Sequence, residues 1–262
     1  MVSTASIIGL ALQALLSFTV PLFLLIYLIR KEKISIRTVF IGALVFILFS
    51  QILEKSMHLY LLVQNQTTAN FFKQPFLYAL YGGLAAGIFE EVGRYLAFRY
   101  ALKGKMERKE GLALGLGHGG IEAVLIGGLP AIQAIFLSMM INQGTLESSL
   151  NGQVPAEMIA SIKTSLTVTP PYLFYLGGME RMIALIIQIA MSLLVLLAVR
   201  KRNLRYLLYA IFAHAAIDFP VGLSQAFRIH PVWVEAFLLL VGIGLIYWIL
   251  STRKWKDEFS RI

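Results

Sequence analysis

The chain has 262 residues, 58% of them hydrophobic and only 14% charged, with a formal net charge of +9 and no cysteine; its mean hydropathy is +0.75. Such a composition excludes a soluble domain and describes an all-α, polytopic transmembrane helix bundle, a single integral membrane domain over 1–262. Without cysteine, disulfide staples, thiolate zinc sites and a cysteine nucleophile are excluded together.

A crossing needs about 20 apolar residues, and seven runs of that kind fall near 5–29, 38–63, 75–100, 111–141, 172–199, 206–222 and 232–251. The first has no basic residue before it and Arg30, Lys31, Lys33 and Arg37 after it. This pattern marks an uncleaved span that starts outside, rather than a signal peptide. The second contains "QILEKSMH", where Glu54, Lys55 and His58 form a polar patch of structural or mouth-lining character. The third contains "FEEVGR". There Glu90, Glu91 and Arg94 each cost about 2.5–3.5 kcal/mol at a helix centre, so a mere anchor would not keep them.

The fourth run contains "GLGHGGIEA" and is too long for one straight crossing, at about 46 Å; "GGLP" at Gly127–Pro130 predicts a kink or break. A polar segment with a weakly helical middle follows from Asn142 to Pro170 and reads as a cap. The fifth run holds "GGMERMIA" with Glu180 and Arg181, and the sixth holds "FAHAAIDFP" with His214 and Asp218.

Counting inward from the first span, basic clusters fall on alternate loops: Arg30 to Arg37; Lys103, Lys105, Arg108 and Lys109; Arg200, Lys201, Arg202 and Arg205; Arg253, Lys254, Lys256 and Arg261. The opposite loops hold only Lys73, Lys163 and Arg228. This asymmetry predicts an N-terminus outside and a C-terminus inside, in a multi-pass protein of the bacterial plasma membrane. It also explains the net charge without a nucleic acid, leaving membrane lipid as the partner implied by composition.

His118 with Glu122, and His214 with Asp218, are spaced i,i+4, so each pair shares a helix face. At about 1.5 Å per residue, Glu90, Glu91, His118, His214, Glu122 and Asp218 fall in one layer about 11–18 Å from the cytoplasmic ends of their spans. Three helices thus deliver carboxylates and imidazoles to one level. That layer supports two schemes for cleaving an amide. In one, a buried glutamate activates water and histidines serve the oxyanion. In the other, two histidines and a carboxylate hold a divalent metal such as zinc, and a second glutamate is the base. No "HExxH" exists, Asp218 is the sole aspartate within a span, and no serine sits in a nucleophile motif.

"EEVGR" at Glu90–Arg94, "GLGHGGIEA" at Gly115–Ala123, "GGMER" at Gly177–Arg181 and "HAAID" at His214–Asp218 resemble the YhfC family of intramembrane metalloproteases. That family is similar to a wider group with the type II prenyl-protein (CAAX) proteases, the bacterial CPBP proteins and the PrsW proteases. The resemblance implies an intramembrane peptidase acting on a peptide or membrane-protein substrate. Glu90 or Glu91 would activate water with His118, and His214 with residue 218 would face the oxyanion. As metal ligands it suggests His118, His214, Glu91 and Asp218, with Arg94, Glu122, Glu180 and Arg181 supporting. Arginine follows the glutamates one residue sooner than in the prenyl-protein proteases, which makes Glu90 and Arg94 the i,i+4 pair and Glu91 the free base. Position 218 is Asp where an amide would donate. The wider group also holds the non-catalytic Aph subunit of gamma-secretase, so a scaffold or immunity protein stands as an alternative, and the buried carboxylates, which suit a proton or cation relay, keep an ion-coupled transporter as another.

Overall fold

A computed structural model of the chain describes residues 1–255. The regular elements among the described residues are all helical: α1 (Thr4–Glu32), α2 (Ile36–Gln64), α3 (Gln66–Phe71), α4 (Pro75–Leu96), α5 (Arg108–Gln143), α6 (Leu146–Leu150), α7 (Ala156–Val168), α8 (Pro171–Arg200), α9 (Arg205–Phe227) and α10 (Pro231–Ser251). Six of them, α1, α2, α5, α8, α9 and α10, are long and apolar enough to cross a membrane. The remaining expected crossing is α4, whose 22 residues include Glu90, Glu91 and Arg94. It has the length of a span, about 33 Å, but its charges keep it from counting as one on composition. Lys256 and Arg261 of the last basic cluster lie outside the described residues.

The fourth expected run stays helical throughout. Its irregularity takes the form of a π-helical stretch at Ala123–Gly128, directly before Pro130. A wider turn there accommodates a proline that cannot donate a backbone hydrogen bond. Further π-helical stretches lie at Phe46–Glu54 and Leu59–Gln64 in α2 and at Ala97–Ala101 after α4.

The described residues group into two compact units, one of Met1–Val20 with Ala123–Met182, the other of Pro21–Glu122 with residues 183–255. In the first unit, α6 and α7 supply Leu146, Ile159 and Leu166 to a core shared with Val2 and Ile141. The Asn142 side chain holds the N-terminus there, accepting from Val2 N at 2.7 Å and donating to Val2 O at 3.0 Å. The expected cap segment is therefore two helices that share a core with the start of the chain and the end of α5.

The second unit is organised around the C-terminal part of α8, where Ala190, Val195 and Leu196 are fully buried. In α8 78% of the most apolar window is buried, against 11% in α10. A helix apolar all round belongs in the middle of a bundle when other helices cover it, and against lipid when they do not. Glycine lets the site-bearing helices touch. A Cβ on Gly117 of α5 would collide with the Val39 carbonyl of α2, and one on Gly83 or Gly87 of α4 would lie 2.8 or 2.6 Å from the carbonyl of Ala215 or Ile211 in α9. These approaches press α5 on α2 and α4 on α9. At the end of the unit that holds the α1 C-terminus, Arg108 binds Glu32 at 3.3 Å, Thr252 Oγ1 at 2.7 Å and the Ile249 carbonyl at 3.1 Å, joining α1, α5 and α10.

Candidate active site

The layer of charge expected from the sequence forms in the second unit. Residues one helical turn apart on α4 present Glu90, Glu91 and Arg94 to the neighbouring helices. Arg94 Nη2 lies 3.0 Å from Glu90 Oε2, and Arg94 Nη1 bonds Glu91 Oε1. One guanidinium thus serves two carboxylates, each from a separate terminal nitrogen. Arg94 thus reaches both glutamates, Glu91 at i,i+3 as well as Glu90 at i,i+4, so the i,i+4 argument does not single out either of them as the free base.

His118 comes from α5 and His214 from α9. His118 Nε2 stands 2.9 Å from Glu90 Oε2. His214 Nδ1 stands 2.6 Å from Glu91 Oε1, and its Nε2 is 4.0 Å from Glu90 Oε2 and 3.5 Å from Asp218 Oδ2. The two glutamates are thereby distinguished. Glu91 sits behind His214, while Glu90 faces the Nε2 atoms of both histidines. Arg94, Glu91 and His118 have no exposed surface, and Glu90 and His214 are 6% and 4% exposed. Asp218 is the open edge of the cluster, with 40% of its side chain exposed.

Gln188 of α8 completes the centre. Its Nε2 donates to Glu90 Oε2 at 3.2 Å and to Glu122 Oε2 at 2.6 Å, and its Oε1 accepts from Arg94. Reversing this amide would set its oxygen against two carboxylates and its nitrogen against a guanidinium, so the network fixes its orientation. Sequence reasoning missed Gln188 by following ionisable groups alone. The signal was a single strongly polar side chain in the run "IALIIQIAM".

Glu122 joins the centre through Gln188. Glu180 and Arg181 belong to the other unit, where they pair with each other. Glu54 and His58 pair at 3.2 Å on α2, and Lys55 bonds Gln51.

Glu91 Oε2, Arg94 Nε and His118 Nδ1 are buried without a hydrogen-bond partner. Among the described residues, no group of three or more His, Asp or Glu is arranged to hold a metal ion.

Fold and centre together define a multi-pass helical membrane protein with a buried glutamate–histidine–arginine cluster at the meeting of four helices. The chain belongs to the YhfC intramembrane metalloprotease family, whose model matches residues 16–239 and so takes in every residue of the cluster. It is 42% identical over 256 residues to the uncharacterized membrane protein YhfC of Bacillus subtilis strain 168, covering 97% of this chain and 99% of that protein. No solved structure matches the chain at a significant level.

Proposed function

We propose that the chain is an intramembrane peptidase that hydrolyses a peptide bond within or near the bilayer, with Glu90 as the base that activates water. The observation that carries this reading is the convergence of His118 Nε2, at 2.9 Å, and His214 Nε2, at 4.0 Å, on the same Glu90 oxygen. His118, Arg94 and Gln188 all donate to Glu90 Oε2. They turn the carboxylate so that Oε1 is the oxygen presented to a water. His214 donates from Nδ1 to Glu91, which leaves the Nε2 lone pair beside the reacting carboxylate, placed to relay to the leaving amine the proton that Glu90 takes from the water. In a site this dry, fixed dipoles act on developing charge far more strongly than in water.

The family description implies a metal, and the residue types suit one, although among the described residues no three of them are gathered as ligands. His118 and His214, each with Nε2 deprotonated and the His118 bond to Glu90 given up, and a carboxylate from Glu90 or Asp218 would be the imidazole and oxygen ligands zinc takes. Glu91 behind His214 Nδ1 is the orienting carboxylate that metal-binding histidines use. A bound divalent ion would supply Lewis acidity and a more acidic water. The carrier reading draws on the same buried carboxylates, but Arg94 bonds both Glu90 and Glu91, which disfavours a cation site made from that pair.

The test uses purified protein in proteoliposomes with a pool of labelled hydrophobic transmembrane peptides, in water enriched in heavy oxygen. New peptide termini carrying the heavy oxygen in the new carboxyl, absent with Glu90→Gln, are the expected result. A wild-type protein that cleaves nothing across a broad pool would overturn the reading.

A further inference from the structure

The glutamate–histidine centre lies nearer the basic ends of its helices than the other ends, yet it is closed on the basic side. Phe98, just past α4, Leu114 of α5, Val195 and Leu196 of α8 and Ala210 of α9 are all 0% exposed and belong to one apolar cluster. They lie about 6–12 Å along their helices from Glu90, His118, Gln188 and His214, toward the loops that carry the basic residues. On α5 every residue from Glu110 to Gly120 is buried. Interiors packed in this way hold few voids large enough for a water molecule, so neither water nor a peptide reaches the centre from there.

The other side is open. Three consecutive residues of α4 face three ways, because a helix turns about 100° per residue. The Tyr81 hydroxyl bonds His58 of α2 at 2.7 Å, a Cβ on Gly83 would press on Ala215 of α9, and a Cβ on Gly82, between them, would meet nothing within 4 Å. Gly82 therefore looks into a gap between α2 and α9. Helical spacing carries the gap inward, since Gly82, Ala86 and Glu90 recur every four residues and Ala86 is partly exposed. Its walls are polar. Asp218 of α9, with 40% of its side chain exposed, stands 3.5 Å from His214 Nε2. On α2 the His58 side chain is 31% exposed and pairs with Glu54, which lies within electrostatic reach of Asp218. Ionisable side chains so exposed within spans face water or a polar ligand, because hydrocarbon offers them no partner.

We infer that water and substrate reach the centre only through this gap, from the side away from the basic clusters, and that the bond cut lies in the part of a membrane-embedded peptide on that side. The route itself needs no catalysis; the position of the cut rests on the peptidase reading. Asp218 and His58 keep the passage wet, and Gly82 and Ala86, which have no bulk, leave it open beside α4. The basic-residue asymmetry makes that side the outer one.

The chain has no cysteine, so single cysteines report accessibility one position at a time. Gly82→Cys, Ala86→Cys, Ala113→Cys, Ala210→Cys and Leu240→Cys are made in the full chain and placed in sealed vesicles, whose basic face is identified by trypsin cleavage at Lys103 and Lys105. A membrane-impermeant cationic methanethiosulfonate, which reacts with the thiolate, is added from either face. Gly82→Cys and Ala86→Cys should react only from the face away from the basic loops. They should do so at least about tenfold faster than Leu240→Cys on the exposed side of apolar α10, since a thiol ionises in water and not in hydrocarbon. Ala113→Cys and Ala210→Cys, at fully buried positions, should react from neither face. Gly82→Leu, whose side chain has room, should bring Ala86→Cys labelling down to the Leu240→Cys rate without lowering the melting temperature. Labelling of the Gly82 and Ala86 variants at the Leu240→Cys rate, or from the basic face, overturns the route, as does reaction of Ala113→Cys or Ala210→Cys from the basic face. A transmembrane peptide inserted in one known direction then locates the cut by mass spectrometry. It should fall in the half away from the basic loops, and a cut in the other half overturns that part of the inference. A protein that labels as expected but cleaves nothing supports the route and overturns the peptidase reading.

Discussion

Glu91 Oε1 accepts from His214 Nδ1 at 2.6 Å, and this bond decides which nitrogen of His214 faces the rest of the centre. Glu91 is fully buried and also bonded to Arg94, so it orients His214 while Glu90 meets both imidazole Nε2 atoms. The two adjacent glutamates should therefore fail differently when changed. Glu90→Gln should lower peptide cleavage by about 10²–10⁴, the scale of a lost general base. Glu91→Gln should lower it by about 10–100, the scale of a lost orienting carboxylate. Single-turnover cleavage of one identified substrate measures both. Equal losses, or a larger loss at Glu91, would reverse the assignment.

Gln188 connects α8 to carboxylates on both α4 and α5 and shares Arg94 with them. Gln188→Leu keeps the bulk but removes one acceptor and two donors, taking one hydrogen bond each from Arg94, Glu90 and Glu122. The expected cost is about 1–3 kcal/mol for each buried polar group left unsatisfied, read as a lower melting temperature in detergent. Gln188→Glu keeps the shape yet sets a third carboxylate against Glu90 and Glu122. It should be the worse of the two, and a neutral result for both would show that the amide is only packing.

The spans were legible because hydropathy over 20 residues is a strong signal: the run read at 172–199 became Pro171–Arg200, and that at 232–251 became Pro231–Ser251. Glu90, His118 and His214 were legible because an ionisable group inside a span is expensive and needs a reason. How the two glutamates share Arg94 was not. Helical spacing lets Arg94 reach both i−3 and i−4, and only the position of His214 on another helix separates the two glutamates. Gln188 carries no charge, so a search by ionisation passes over it. The π-helical stretch after Glu122 also escaped, since "GGLP" announces an irregularity without saying that a wider turn will absorb it.

The distribution of basic residues predicts seven crossings, with Met1 outside and Ile262 inside. Six described helices are apolar enough to cross unaided, so the count turns on α4, whose charges are matched within the bundle by Arg94 and the two histidines. Pairing removes much of the cost of a buried charge. A reporter fused at Ile262 that is active only in the cytoplasm, with a tag at Met1 reached only from outside, is the expected outcome. Both ends reporting from the same side would mean an even number of crossings.

Asp218 discriminates metal from metal-free chemistry. Its Oδ2 is 3.5 Å from His214 Nε2, and it is the most exposed member of the cluster. Beside a developing oxyanion an ionised carboxylate is repulsive; beside a cation held by His118 and His214 it is a ligand or a further stabiliser. Asp218→Asn keeps the size and removes the charge, so its effect has opposite signs in the two schemes. With a metal, zinc near one per chain should be found by elemental analysis of the purified protein. It should be lost in His118→Ala and His214→Ala, and Asp218→Asn should weaken its affinity about 10–100-fold. Without one, cleavage should persist in strong chelator, and Asp218→Asn should cleave as well as the parent or better, because an amide can donate to the oxyanion where a carboxylate repels it. Metal affinity is measured on the folded protein whether or not a substrate is in hand, so the binding arm reads out independently of activity.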